Sequence, residues 1–278
     1  INSVVPRGDK EYNTNNRPTL FLPENQTLDL GNGFAQFHPA LEPMMDIYNH
    51  TKLTGKEGSG NLAVIHRVGY SNQSRSHFNS QQYWENGTPG KNKLEEGMFY
   101  RQLATTMDLN DRKNAFVAAG LSGSQLVAFK GGKPIPNFRK AEDFTFNGSS
   151  AKSAKFLGIL PERDQRWPDG SGLLGLYGSR PTMARKPYRD RVHSTGQLLG
   201  ATMATLQNAV RKGSYSPSNG ASYPNGTFGN RLQEAAMLFK RTPAKMMGLN
   251  IGGWDTHSKQ GQLYGKHANL LGQVAQGF

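Results

Sequence analysis

The sequence predicts an α/β protein in which helices cover a sheet of largely parallel strands. The prediction rests on short apolar runs that end in polar, glycine-rich turns, and on amphipathic helical stretches that alternate with them. The clearest case is residues 245–251, an apolar run that leads through Gly252 and Gly253 into a polar segment. In sheets of this class ligands bind beyond the carboxyl ends of the strands, so functional residues are expected in the turns that follow the strands.

In the first half of the chain the sequence predicts several short strands and two helices, of which the second is indicated by its start alone. Residues 38–49 carry apolar side chains on one helical face. Residues 62–69 are a short apolar run bounded by turn residues, which predicts a buried strand that is followed by a polar turn and a helix start. Further strands are predicted at 114–119 and 126–129.

The second half is predicted to be mainly helical around one strand. Helices are expected at 192–210, 229–240 and 263–278, with the strand at 245–251 between the last two. Residues 131–190 carry Pro, Gly, Lys and Arg without a long period, and they are predicted to form an irregular excursion.

Short helices are expected within this excursion near 151–158 and 172–177. The chain as a whole, residues 1–278, is predicted to be a single domain.

Composition narrows the possible functions. The 278 residues include 33 Lys and Arg against 20 Asp and Glu, a net charge of +13. This favours anionic partners such as phosphate or sulfate esters, acidic polymers, nucleic acid or an anionic membrane. Cysteine is absent, which excludes disulfides, cysteine-ligated metals and thiol catalysis and fits an exported bacterial protein. No apolar run approaches the roughly 20 residues of a membrane span.

Asp255 and His257 form the first candidate site, just past the strand predicted at 245–251. Two positions apart in an extended chain, a carboxylate and an imidazole point the same way, and both are ligands for divalent cations. Gly252 and Gly253 allow a sharp turn and a close approach to a ligand. The alternative is a surface turn in which Asp255 binds nearby backbone amides and His257 is solvated.

Ser74, Arg75, Ser76 and His77 form the second candidate, where a helix is predicted to begin. A hydroxyl at a helix N-terminus suits an anionic substrate and a nucleophile that attacks phosphorus or sulfur, and an arginine can bind two oxygens of the anion. The alternative is an N-cap serine beside a surface arginine and a packed histidine. A Ser74–His77–Asp255 triad can also be drawn, although no Gly-x-Ser-x-Gly turn accompanies it.

A basic stretch at 180–191 either contacts a polyanion or forms a solvated loop face. Because Tyr188 is the one aromatic residue within it, nucleic acid is not the expected partner. The remaining histidines are expected to be structural or exposed rather than ligands; they are His38, His50, His66, His193 and His267.

Four segments of the sequence, taken in order, resemble the bacterial family called domain of unknown function 1501, a sulfatase-like family of the alkaline phosphatase superfamily. The segments are residues 2–9 with 17–20, residues 33–34 with 38–41, residues 62–70 with 74–78, and residues 252–257. The resemblance extends over nearly the whole chain. It implies an alkaline-phosphatase-like, three-layer α/β/α sandwich on a largely parallel sheet, and export to the periplasm or the cell exterior.

The resemblance also implies a site. Ser74 or Ser76 would be the nucleophile, Arg75 would bind the anion, and a divalent metal (Zn, Mn, Mg or Ca) would activate the reaction. The implied ligands of that metal are Asp255, His257 and His77. Family members have a strand with a first carboxylate ligand upstream and an Asp-His pair downstream, so residues 1–278 are expected to be incomplete at both ends.

The expected function is therefore a metal-dependent, hydrolase-like protein that acts on a phosphate or sulfate ester, either a small molecule or an anionic polymer. The alternative is a non-catalytic protein of the same fold that serves as a binding or assembly component at the cell surface, including as a homo-oligomer. A third reading is a polyanion-binding protein, which the net charge of +13 favours.

Overall fold

A computed structural model describes residues 2–49, 60–66, 68–91, 93, 95–144, 187–218, 220 and 222–278. The chain divides into two compact units. Unit 1 consists of Ile1–Val68, Ala221–Asn230 and Ile251–Phe278, and unit 2 consists of Gly69–Gly220 and Arg231–Asn250. Each unit has its own small sheet and its own buried core. The single domain over residues 1–278 stays a prediction.

The regular elements of the described residues follow one another in short runs of strands and of helices. The strands are β1 (Val4–Val5), β2 (Leu28–Asp29), β3 (Gln36–Phe37), β4 (Ala118–Leu121), β5 (Asn137–Phe138) and β6 (Met246–Leu249). The helices are α1 (Glu42–Asn49), α2 (His77–Asn86), α3 (Met98–Thr106), α4 (Pro187–Arg211), α5 (Thr227–Arg241) and α6 (Lys266–Gly277).

Unit 1 is built on a small antiparallel sheet in which β3 lies between β1 and β2. Phe37 of β3 is buried in a core that also receives Leu41 from the turn before α1 and Leu271 from α6. This sheet was not predicted from the sequence, because two-residue strands are too short to show a period of two.

Unit 2 contains a parallel sheet in the order β5-β4-β6. Leu121 of β4 belongs to the same buried cluster as Leu206 of α4 and Leu238 of α5. Ala118 of β4 belongs to a different cluster with Leu103 of α3. Because side chains that are an odd number of positions apart point to opposite faces of a strand, helices pack against both faces of β4. The predicted α/β class with a parallel sheet is confirmed for the described residues.

Most of the predicted helices and one of the strands are confirmed. The predictions at 38–49, 192–210, 229–240 and 263–278 correspond to α1, α4, α5 and α6, and the strand at 245–251 corresponds to β6. The strand predicted at 114–119 begins later, as β4. Helix α3 was not predicted. The short helices near 151–158 and 172–177 lie outside the described residues, as does most of the excursion predicted at 131–190.

Two predicted strands are wrong. Residues 62–66 and 68 are not assigned to a strand. Leu62 and Val64 pack against the core of unit 1 while Ile65 is exposed, so the alternation is present without a strand pairing. Residues 126–129 form a short 3-10 helix at Val127–Phe129 that buries Ala128 and Phe129. Short apolar runs do not distinguish a strand from a buried helical turn.

None of the helices among the described residues is both long and apolar enough to span a lipid bilayer.

Candidate functional site

The Asp255–His257 pair lies in a loop of unit 1 with a sharply turned backbone. His257 Nε2 is 2.9 Å from Asp255 Oδ2. The side chains of His257 and Asp255 are 80% and 50% exposed. Gly253 has φ +97° and His257 has φ +26°. Both angles lie in the region that favours glycine, and His257 adopts it although it carries a side chain. The loop thus brings together the carboxylate and the imidazole that the sequence analysis paired.

Trp254 anchors this loop to the core of unit 1. Its indole Nε1 donates a hydrogen bond to the Ile251 carbonyl at 2.9 Å. Its ring meets the ring of His267 edge to face, with centroids 5.7 Å apart. The residue that directly precedes the exposed Asp255 is therefore held between its own loop backbone and α6.

The donor set of the pair fits a divalent cation. The 2.9 Å between His257 Nε2 and Asp255 Oδ2 is a hydrogen-bond distance, so the two atoms are close enough to bind one cation when the proton between them is lost. An imidazole nitrogen with a carboxylate oxygen suits Zn²⁺ better than Ca²⁺, which prefers oxygen ligands alone. The pair can supply two of the ligands that a metal site needs.

His38 and His267 are buried in unit 1, as the sequence analysis expected of structural histidines. His38 Nδ1 accepts a hydrogen bond from the Ala40 amide at 3.0 Å, and Nε2 lies 2.8 Å from the Gln262 carbonyl. Because a carbonyl can only accept, the proton of the neutral His38 ring is on Nε2. Burial lowers the pKa of His267, and the neighbouring His38 lowers it further.

Of the other three histidines that were expected to be structural or exposed, only the side chain of His66 is described. His66 is half-buried and meets the Phe34 ring edge to face, with ring centroids 5.3 Å apart. His50 and the side chain of His193 lie outside the described residues, as does most of the basic stretch predicted at 180–191.

The second candidate lies at the start of α2 in unit 2. Ser76 is the N-cap of α2, and its Oγ accepts a hydrogen bond from the Asn79 amide at 3.3 Å. Ser74 Oγ accepts a hydrogen bond from the Ser76 amide at 3.1 Å. The alternative of an N-cap serine is therefore confirmed at Ser76, but the histidine that was expected to pack, His77, is exposed. Each hydroxyl keeps its own proton to donate, while Arg75 and His77 are exposed.

A tyrosine that the sequence analysis did not select organises this turn. Tyr70 Oη accepts a hydrogen bond from the Ser74 amide at 3.0 Å and lies 2.7 Å from Ser80 Oγ. The turn before α2 is thus tied to the first turn of the helix. A local serine-rich pattern does not reveal this bond, because Tyr70 lies outside the motif.

The candidate residues fall into two groups by unit. Asp255 and His257 belong to unit 1, and residues 74–77 belong to unit 2. Within its own unit each group is brought together, by the carboxylate–imidazole contact in unit 1 and by the serine turn in unit 2.

A further polar cluster lies at the carboxyl end of the parallel sheet of unit 2. It contains Ser122, Arg139 and Asn250, which directly follow β4, β5 and β6, together with Arg231 of α5. These residues were not among the candidates predicted from the sequence. Their one signal is position, because each of the first three stands at the end of a strand, where ligands bind in α/β sheets.

Comparison of the chain with protein-family models, curated proteins and solved structures finds no match.

Proposed function

We propose that the chain is an exported, metal-dependent, hydrolase-like protein that acts on phosphate or sulfate esters, with an α/β/α fold of the alkaline phosphatase type. The observation that carries the proposal is the exposed Asp255–His257 pair, whose donor atoms are 2.9 Å apart. Export to the periplasm or the cell exterior is supported by the absence of cysteine.

Asp255 and His257 would hold the cation. When bound, a divalent cation neutralises charge on the ester oxygens and makes a nearby hydroxyl or water a better nucleophile. Imidazole and carboxylate must both be deprotonated to bind the metal, so metal binding would weaken as the pH falls.

The other residues of the proposal come from the turn before α2. Ser74 or Ser76 would supply the attacking hydroxyl, and Arg75 would bind two oxygens of the anion. The position of both hydroxyls in the turn before α2 and the exposure of Arg75 support these roles. The positive end of the helix dipole further favours an anion there.

Metal binding tests the ligand assignment. EDTA-treated protein is titrated with ZnCl₂ and with MnCl₂ by isothermal calorimetry. Wild type is expected to bind one ion, and Asp255→Asn and His257→Ala each weaken binding at least tenfold. Glu24→Gln, which removes an exposed carboxylate elsewhere in unit 1, leaves binding unchanged. Failure of wild type to bind either metal, or equal binding by all variants, contradicts the proposal.

Hydrolysis separates the enzyme from its alternative. The metal-loaded protein is assayed with p-nitrophenyl phosphate and p-nitrophenyl sulfate. The proposal expects turnover by wild type that is lost in Asp255→Asn and in the alanine variant of the nucleophilic serine, Ser74 or Ser76. The alternative, a non-catalytic cell-surface binding or assembly component, is favoured by the structural use of both hydroxyl oxygens. It expects no turnover, and light scattering would then detect homo-oligomers.

A further inference from the structure

Three polar residues emerge together at one edge of the parallel sheet of unit 2. β4 is the central strand, and it pairs in parallel with β5 on one side and β6 on the other. Ser122, Arg139 and Asn250 are the residues that directly follow these strands. Parallel strands end at the same edge, so the three residues lie along it.

The orientation of the Asn250 amide follows from its neighbours. Asn250 Oδ1 accepts hydrogen bonds from Ser122 Oγ at 2.9 Å and from Arg231 Nη1 at 3.0 Å. A guanidinium can only donate, so the atom that faces Arg231 is the amide oxygen and not the nitrogen. The Asn250 NH₂ group is therefore turned away from Arg231, on an exposed residue, with no acceptor among the described residues.

Gly123 brings a second guanidinium close to the same turn. A Cβ built on Gly123 would stand 3.3 Å from Arg139 Nη2, so the guanidinium lies directly against the backbone after Ser122. The Ser122 carbonyl accepts a hydrogen bond from Asn137 Nδ2 at 3.1 Å, which holds this backbone in place.

The cluster carries an excess of hydrogen-bond donors and positive charge. Arg139 is exposed, and it has no carboxylate partner among the described residues. Arg231 Nε is buried and also lacks an acceptor in the described part of the chain. An arginine binds a phosphate or carboxylate through two of its N–H groups, and the net charge of +13 attracts anions to the protein.

We propose that this sheet-edge cluster, which consists of Ser122, Gly123, Arg139, Arg231 and Asn250, binds a tetrahedral oxyanion. The ligand is a phosphate or sulfate group, either free or as part of an ester. Arg139 and the Asn250 NH₂ group donate to its oxygens, and Ser122 and Arg231 position Asn250. Binding at this cluster needs neither a metal nor the serines before α2, so it stands or fails independently of the proposed hydrolase function.

The test measures anion binding by EDTA-treated protein at constant ionic strength. Inorganic phosphate, sulfate and methyl phosphate are titrated by isothermal calorimetry. Arg139→Gln is expected to weaken binding at least tenfold. Asn250→Asp is expected to abolish it, because a carboxylate oxygen replaces the NH₂ donor while the other oxygen keeps its bonds to Ser122 and Arg231. Lys245→Gln removes the same charge as Arg139→Gln but at the amino end of β6, and its binding stays within twofold of wild type.

Circular dichroism confirms that each variant is folded, and the exposed position of Arg139 keeps that variant informative even if Asn250→Asp unfolds. Tighter binding of methyl phosphate than of phosphate assigns the cluster to an ester, and the reverse assigns it to a free anion. Absence of saturable binding by wild type, or binding by Arg139→Gln equal to that of wild type, overturns the proposal. Neither result bears on metal binding at Asp255, which the zinc titration measures separately.

Discussion

His38 and His267 pack edge to face in the core of unit 1, with ring centroids 6.2 Å apart and ring planes at 89°. The His38 ring uses both nitrogens, one for the Ala40 amide and one for the Gln262 carbonyl. His267 Nε2, by contrast, is buried without a partner in the described residues. Protonation of His267 would therefore charge a ring whose Nε2 is buried without an acceptor among the described residues.

His267→Phe is expected to flatten the pH dependence of stability below neutral pH. Burial lowers the pKa of His267, while the unfolded chain keeps the ordinary value of about 6.5. The unfolded state then binds the proton more readily, so stability is complete above about pH 6.5 and falls as the pH drops towards the lowered value. Urea denaturation of both proteins between pH 5 and 8 measures the slope.

The control for this experiment is His66→Phe, which replaces a half-buried histidine of the same unit. It is expected to keep the wild-type slope. An unchanged slope in His267→Phe would show that another group causes the pH dependence.

Gly131→Ala is expected to destabilise unit 2 by about 1–3 kcal/mol through overpacking. Gly131 lies against the ring of the buried Tyr100, where a methyl group would clash. The ring cannot shift easily, because Tyr100 Oη accepts a hydrogen bond from the Lys133 amide at 2.9 Å. The neighbouring Gly132→Ala places its Cβ 3.5 Å from that hydroxyl, an ordinary contact, and serves as the matched control. Equal midpoints of thermal unfolding for the two variants would refute the packing argument.

Glu234→Gln is expected to raise stability at pH 7. Burial raises the pKa of Glu234, although the hydrogen bond from the Ala141 amide at 2.7 Å acts in the opposite direction. The ionised carboxylate is therefore disfavoured in the folded state, and stability is lost as the pH rises from about 4.3 through the raised value. The glutamine oxygen still accepts the amide bond without the charge, so the gain is expected at pH 7 and not at pH 4.

Glu234→Ala separates the charge from the hydrogen bond, because it leaves the Ala141 amide without its acceptor. It is expected to cost about 1–3 kcal/mol by chemical denaturation. Glu95→Gln, at an exposed carboxylate of unit 2, is the control and should leave the stability unchanged at both pH 7 and pH 4. A loss of stability in Glu234→Gln at pH 7 would mean that ionised Glu234 stabilises the fold.

Ser76→Ala is expected to destabilise the protein by about 1 kcal/mol, because the Asn79 amide at the start of α2 loses its cap. Ser76→Asp supplies another capping oxygen and should restore stability. Measuring hydrolysis on the same two variants separates the two roles of Ser76. Both variants lack the hydroxyl, so both would lose hydrolysis if Ser76 is the nucleophile, whereas only Ser76→Ala would lose the cap. Full stability in Ser76→Ala would contradict the capping role.

The sequence predicted well those elements whose pattern is local and long. Helices α4, α5 and α6 each show an apolar stripe over three or more turns, which is a strong signal by itself. The short antiparallel sheet of unit 1 had no such signal, and the apolar alternation at residues 62–66 wrongly suggested a strand. A strand forms only when it pairs with a second strand, and the sequence of one segment does not show which other segment will pair with it.

In the candidate site, too, the features that were predicted are those with a local sequence pattern. Spacing paired Asp255 with His257 on the premise of an extended chain, but the structure brings them together through a turn in which His257 has φ +26°. The same local reasoning proposed an N-cap serine within residues 74–77, and the hydrogen bond at Ser76 confirms it.

By itself, then, the amino-acid sequence determined the α/β class, the long helices, the strand before the Asp255–His257 loop and the cationic character of the chain. Only the tertiary structure decided that Ser122 and Arg231 both bind the Asn250 side chain, and that Gly131 lies against Tyr100. Ser122 and Asn250 are 128 residues apart along the chain. Such contacts depend on which strands become neighbours in the sheet, and apolar periodicity within one segment carries no information about that choice.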